Sequence, residues 1–175
     1  IVEKLAGIIS PVLCHMAEDI WQNLPYSVSE SSVFLRQWPI VPTNWKDESL
    51  SASMDLLREL RVLVNRVLEE CRSKNQLGAS LEAAVRIEAH SKELFDALNW
   101  LSYKGNPEVD SLRDWLLVSQ VQIGGEPWAE LLASQDNEIA LIEVSTARGH
   151  KCNRCWHYES DVGKYSSDPN VCGRC

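Results

Sequence analysis

The stretch CNRCWHYESDVGKYSSDPNVCGRC, residues 152–175, carries two Cys-x-x-Cys pairs with sixteen residues between them. Two such pairs each place two sulfurs on one side of a tight backbone knuckle, and sixteen intervening residues suffice to bring the second knuckle back to face the first. Zinc accepts four thiolates in a tetrahedron at about 2.3 Å, so Cys152, Cys155, Cys172 and Cys175 are the candidate ligands. Four protein ligands leave no open position for water or substrate, which makes the expected Zn2+ structural rather than catalytic. Iron in the same four-sulfur cage is chemically possible. Disulfide pairing of the four is the other alternative, but such frameworks usually spread through a small cysteine-dense secreted domain, and the remaining cysteines, Cys14 and Cys71, are lone residues inside helical patterns. His150 and His157 flank the first pair and are dispensable as ligands when four cysteines are present.

A module of this size cannot bury enough apolar surface to fold unaided, so the metal is expected to be its main organiser. It is also the basic end of an acidic chain. The 175 residues carry a net charge of −8, yet residues 148–175 are +2 and the preceding 147 residues are −10. Bulk charge therefore excludes a protein that coats nucleic acid or an anionic membrane nonspecifically. Within the module, Trp156, His157 and Tyr165 offer aromatic faces, while Arg154, Lys164 and Arg174 offer positive charge. Together they suit stacking on unpaired RNA bases with nearby phosphate contacts. The competing reading is that Trp156 and Tyr165 cover the zinc knuckles.

Working back from the cysteines, EIALIEVS (138–145) and DWLLVSQVQI (114–123) are rich in β-branched residues and predict strands. Leu81, Ala83, Val85 and Ile87 alternate with more polar neighbours and predict a half-buried strand. SKELFDALNWL (91–101) returns to helical spacing. From about Asp47 to Lys74, Leu50, Met54, Leu57, Leu60, Val64, Val67 and Cys71 step by three or four, predicting one long helix packed in a helical bundle and ended near Gly78. Arg58, Arg61, Arg66 and Arg72 on its other faces alternate with Glu59, Glu69 and Glu70 and read as a solvated surface. Pro25, Pro39 and Pro42 bracket an extended crossing. Before it, SPVLCHMAEDIWQNL (10–24) predicts a helix with Ser10 as N-cap and Pro11 in its first turn. The fold class expected is mixed: an α-helical bundle segment over 1–77, a small α+β unit over 78–147, and a C-terminal four-cysteine zinc module over 148–175. No apolar run approaches the length needed to span a bilayer and no signal peptide is visible, so no membrane partner is expected. The chain begins Ile-Val-Glu and ends on a ligand-type cysteine, which suggests a piece of something longer.

These residues carry a resemblance. CNRCWHYESDVGK followed by CGRC resembles the C-terminal zinc-binding module of bacterial-type isoleucyl-tRNA synthetases, in which a Cys-x-Arg-Cys-Trp-His opening and a Cys-x-Arg-Cys closing recur. PVLCHMAEDIWQNLP followed by SVFLRQWP is similar to a segment of the anticodon-binding helical domain of that family, and SLEAAVRI and DWLLVSQVQI look like the strands between the two regions. The resemblance covers nearly the whole chain. It implies the tRNA-binding part of a class I enzyme that joins isoleucine to tRNA(Ile) with ATP and Mg2+, monomeric, cytoplasmic or, in a eukaryote, organellar. It also implies that the helical portion and zinc module dock on the anticodon arm. The class I signatures, a His-Ile-Gly-His-like and a Lys-Met-Ser-Lys-Ser-like motif, are absent from these residues, so no catalytic residue is assigned. The nearest rivals are a formamidopyrimidine-type DNA glycosylase, whose terminal finger is similar but whose N-terminal Pro-Glu region is not found here, and a noncatalytic zinc ribbon used for protein contacts. No DNA partner is expected.

Overall fold

The long helix α3, Glu48–Ser73, organises the larger part of the structure, a computed structural model that describes residues 1–102, 111–164, 166 and 168–175. Its seam is buried from Leu57 onward through Leu60, Val64, Val67, Leu68 and Cys71, while Leu50 near its start is exposed. The helix spans the expected residues to within one at each end, but the residue that stops it is Asn75 rather than Gly78. Asn75 takes a left-handed φ of 57°, and the N–H groups of Gln76 and Asn75 close back on the carbonyls of Cys71 (3.0 Å) and Arg72 (2.9 Å). That is a Schellman cap, in which Asn replaces the usual Gly.

The seam is covered by a sheet as well as by neighbouring helices. Strands β1 (Ala83–Ala89), β2 (Gln120–Ile123), β3 (Ala133–Asp136) and β4 (Ala140–Thr146) lie in the order β2-β1-β4-β3. β1 and β2 run parallel, joined by α4 (Lys92–Ser102) and α5 (Ser111–Leu116), whereas β4 is antiparallel to both β1 and β3. The period of two puts Val85, Ile87, Ile142 and Val144 on the face that meets α3 and α4, where they join Leu60, Val64, Leu94 and Leu98 in one core. This packing explains why the chain divides into compact units at Ile1–Asp47 and Glu48–Cys175. The break expected near residues 75–79 falls inside the second unit, because α3 supplies the apolar cover its sheet requires.

The stretch expected as one strand over 114–123 opens as the end of helix α5, which closes at Leu116. Leu112 and Leu116, four residues apart, are both buried, so the segment satisfies a helical stripe. Leu117 then adopts φ 57°, with Val118 N–H on Arg113 O (3.1 Å) and Leu117 N–H on Asp114 O (3.4 Å), a second Schellman cap. Only Gln120–Ile123 pairs with β1.

The opposite face of the sheet is polar and holds a buried cation. Arg86, 2% exposed, donates to Glu143 (2.8 Å), Glu88 (2.7 Å) and the carbonyls of Gly124 (3.2 Å) and Gly125 (2.7 Å). A buried guanidinium is stable only when its donors are satisfied in this way, and here that requirement draws the loop after β2 over the sheet.

The unit Ile1–Asp47 contains α1 (Val2–Ile9) and α2 (Cys14–Gln22), with 3-10 turns at Val33–Leu35 and Thr43–Trp45. The helix expected to start at Ser10 and Pro11 does not. Ser10 closes α1, its N–H on Ala6 O at 3.1 Å and its hydroxyl on Gly7 O at 2.9 Å, and α2 begins only at Cys14. Apolar residues continue in register across Pro11, so the periodicity alone conceals the break. The small core is Ala6, Ala17, Trp21 and Val33. Glu18 braces the crossing segment by accepting from Ser32 Oγ (2.8 Å) and Val33 N–H (3.0 Å), and its bonds to Gln22 and Ser32 hold its carboxyl below the usual range. Among the described residues no helix is long and apolar enough to cross a membrane.

Candidate metal centre and nucleic-acid interface

Past β4 the chain forms a two-stranded hairpin, β5 (His150–Lys151) with β6 (Tyr158–Glu159), and the first cysteine knuckle is its loop. Gly149 begins it at φ 104°, where a Cβ would lie 2.5 Å from the Glu159 backbone, so only glycine fits. Cys152 N–H bonds His157 O and Trp156 N–H bonds Cys152 O, both at 2.9 Å. Trp156 closes the knuckle at φ 67°, an unusual conformation for a bulky residue that costs about 1–2 kcal/mol. In the second knuckle Cys175 N–H reaches Cys172 O at 2.9 Å. Gly173 donates its N–H to Asp161 Oδ2 at 2.8 Å.

The four cysteines converge as the spacing predicts. All are free thiols, and their Sγ atoms lie within 4.8 Å of one another. Cys155 and Cys172 sulfurs are 3.7 Å apart, too far for a disulfide and close to the edge of about 3.8 Å that a tetrahedron with zinc–sulfur bonds of about 2.3 Å requires. Cys172 N–H points at Cys152 Sγ from 3.4 Å. Burial pushes the Cys152 thiol up, but N–H groups of Cys155, Cys172 and Arg154 outweigh it and bring the thiol down to about 6. Burial and the neighbouring thiols raise Cys172 and Cys175. One thiolate forms readily, and a cation at the centre is what allows the others to follow. The residues fit a structural zinc.

The cationic and aromatic candidates separate into two groups. Arg154 sits in the first knuckle and donates to the carbonyl of Cys175 at 2.7 Å, tying the knuckles together, while Asn153 N–H bonds Asn170 O at 3.0 Å. Trp156 is 60% exposed, with Lys151 Nζ 5.4 Å from its ring centroid, and Lys164 is exposed. His157 turns the other way, towards Asp114, and Arg174, though exposed, stands beside the same acid. His157 is 8% exposed with Nε2 3.7 Å from Asp114 Oδ1, and Arg174 Nη1 stands 3.5 Å from the same oxygen. Burial first, then the Arg113 and Arg174 charges, lower the His157 imidazole below its usual range. Tyr165 lies outside the described residues.

Asp114 belongs to a set of docking residues that spacing did not single out. Arg113 pairs with Glu159 at 2.8 Å, both largely buried. Ser119, fully buried, accepts Tyr158 N–H at 2.8 Å and donates to Leu81 O. Gln120 exchanges two bonds with the Arg148 backbone, at 2.8 and 3.1 Å. These contacts join residues 28 to 60 positions apart, so no local pattern marks them. The zinc module is thereby fastened to α5 and β2.

Residues 1–87 match the family described as "Anticodon-binding domain of tRNA ligase", and residues 149–175 match "Zinc finger found in FPG and IleRS". All 175 residues align at 69% identity with the isoleucine–tRNA ligase of Prochlorococcus marinus (strain MIT 9313). Over its whole length the chain is similar to part of the isoleucine–tRNA ligases. The corresponding ligases of Synechococcus sp. (strain CC9311) and Parasynechococcus marenigrum (strain WH8102) are 67% and 64% identical, again over the whole chain. In each case the chain spans 18% of the relative's length. The zinc finger alone is shared with the glycosylase rival, but the anticodon-binding match accompanies the isoleucine–tRNA ligases, and the rival reading is not favoured.

Proposed function

We propose that this chain is the anticodon-arm-binding part of an isoleucine–tRNA ligase, an enzyme that attaches isoleucine to tRNA(Ile) at the expense of ATP, with Mg2+, in a catalytic region outside these residues. The observation that carries the reading is the unbroken similarity to such ligases across both the helical and the zinc-binding parts of the chain. The geometry supports it by offering a rigid platform where RNA would be met. Cys152, Cys155, Cys172 and Cys175 hold a zinc ion that neutralises the thiolates and locks both knuckles. The exposed Trp156 face then stacks on an unpaired loop base, while Arg154 and Lys164 approach phosphates. His157 and Arg174, also candidates for RNA contact, are engaged with Asp114, and we assign them to holding the module in place. The acidic remainder of the chain limits binding to unrelated RNA.

Trp156→Ala and Lys164→Ala are expected to weaken binding of tRNA(Ile), measured by gel shift, with zinc content unchanged by plasma emission. Removing a base–aromatic stack costs about 1–3 kcal/mol, so the Trp156 variant should lose about tenfold. Unchanged affinity in the Trp156 variant would overturn the reading.

A further inference from the structure

On the sheet face turned away from α3, a groove of about 570 Å³ runs between the loop after β2 and residues 145–148, a volume suited to a small organic ligand. Its floor is low because β1 places Ala84 there, opposite Ser145 of β4. One wall is the indole of Trp128, whose N–H is fixed on Gln122 Oε1 at 2.8 Å. Gln122 also donates to Gly124 O (2.8 Å) and Glu126 O (3.3 Å), and Gln120 is occupied by the Arg148 backbone. The two amides therefore shape the groove. Ser145, Thr146, Glu130 and Arg148 also line it, and among the described residues none of these side chains has a hydrogen bond or ion pair of its own.

We propose that this groove takes one unpaired nucleotide of the RNA engaged by the zinc module, an inference that rests on the RNA-binding reading above. The indole wall stacks the base, which any base permits. Glu130 is an acceptor for an exocyclic amino group, and the hydroxyls of Ser145 and Thr146 serve the base edge or sugar. Arg148 meets the phosphate. A single cation matches the single charge of a phosphodiester, whereas a free nucleoside triphosphate would demand several. Continuity makes the nucleotide part of a strand. Arg148 leads through Gly149 directly into β5, where Lys151 stands over Trp156, so a backbone passing the exposed tryptophan reaches the groove along the basic end of the chain.

The test uses the zinc-loaded protein and an RNA hairpin copying the anticodon arm of tRNA(Ile), together with versions carrying an abasic site at each loop position in turn. The unmodified protein is expected to lose about tenfold in affinity at the position that enters the groove. Ser145→Leu, which fills the groove, and Arg148→Glu, which reverses its cation at an exposed site, should each lose a similar factor with the intact hairpin. Ser145→Leu should lose nothing further with that one abasic hairpin. Zinc content and circular dichroism confirm that both variants are folded. If Trp156→Ala weakens binding but Ser145→Leu and Arg148→Glu bind as the parent does, the groove proposal falls and the RNA-binding reading stands. If the parent does not bind the hairpin at all, that reading fails and the groove proposal with it.

Discussion

The zinc module and the sheet beneath it are held together by different forces although they share one compact unit. In the core, α3 and the sheet exclude water with some twenty buried residues, nearly all aliphatic. In residues 149–175 the buried residues described are Cys152, Cys172 and His157, and the polypeptide there has almost no apolar interior. A core distributes its stability over many contacts of similar size. A metal knuckle concentrates it in four bonds, with Ser119, Arg113 and Asp114 adding smaller contacts that orient the module. The difference teaches that the module's surface can be rigid without being thick, which suits a platform that must present Trp156 to solvent.

Removing the metal should separate the two regions most sharply. Structural zinc contributes about 10–16 kcal/mol in comparable peptides, so a chelator or Cys152→Ser should abolish hydrogen-exchange protection of the Cys152 and Trp156 amides while β1 amides stay protected. Loss of protection in β1 as well would show that the regions fold as one. Acid acts in the same direction. The bound form carries thiolates and the free form takes up protons, so zinc affinity falls as pH drops. Below about 6 even Cys152, the thiol held lowest by its N–H donors, is protonated, and chelator competition should report progressive release there.

The converse experiment strikes the core. Leu60→Ala at a fully buried position should cost about 2–5 kcal/mol in urea unfolding, with the zinc stoichiometry of the folded protein unchanged. Smaller, and aimed at the join, Ser119→Ala leaves Tyr158 N–H without its acceptor and should cost about 1–3 kcal/mol. Its signature is faster exchange at Tyr158 with no change in α3; an unchanged Tyr158 amide would mean that the latch does not orient the module. At the bottom of the scale, Arg58→Ala breaks an exposed pair with Asp55, 64% and 72% exposed, and should shift stability by about 0.5 kcal/mol or less.

How much of this was legible depends on how local each signal is. The long helix, β1, α4 and β4 were readable because apolar period and burial agree along single segments. Several boundaries were not. Pro11 interrupts a helical stripe that continues in composition, Leu112 and Leu116 make a helix from residues that also suit a strand, and Asn75 and Leu117 end helices in a conformation more often given to glycine. That α3 packs on a sheet as well as on helices was not readable for a different reason: an apolar seam declares that it must be covered, not everything that covers it.

The amino-acid sequence by itself determined the four-thiol site, since ligand chemistry and the tight reach of each Cys-x-x-Cys pair leave few other arrangements, and it carried the family resemblance that the alignments establish. Only the tertiary structure decided which charged and aromatic groups around that site are exposed. Trp156 and Lys164 face solvent, whereas His157 is buried and Arg174, itself exposed, lies beside Asp114, a carboxylate on a helix more than forty residues earlier. Direction of that kind is fixed by packing between distant segments, and a linear string of residues holds no record of which segments will meet.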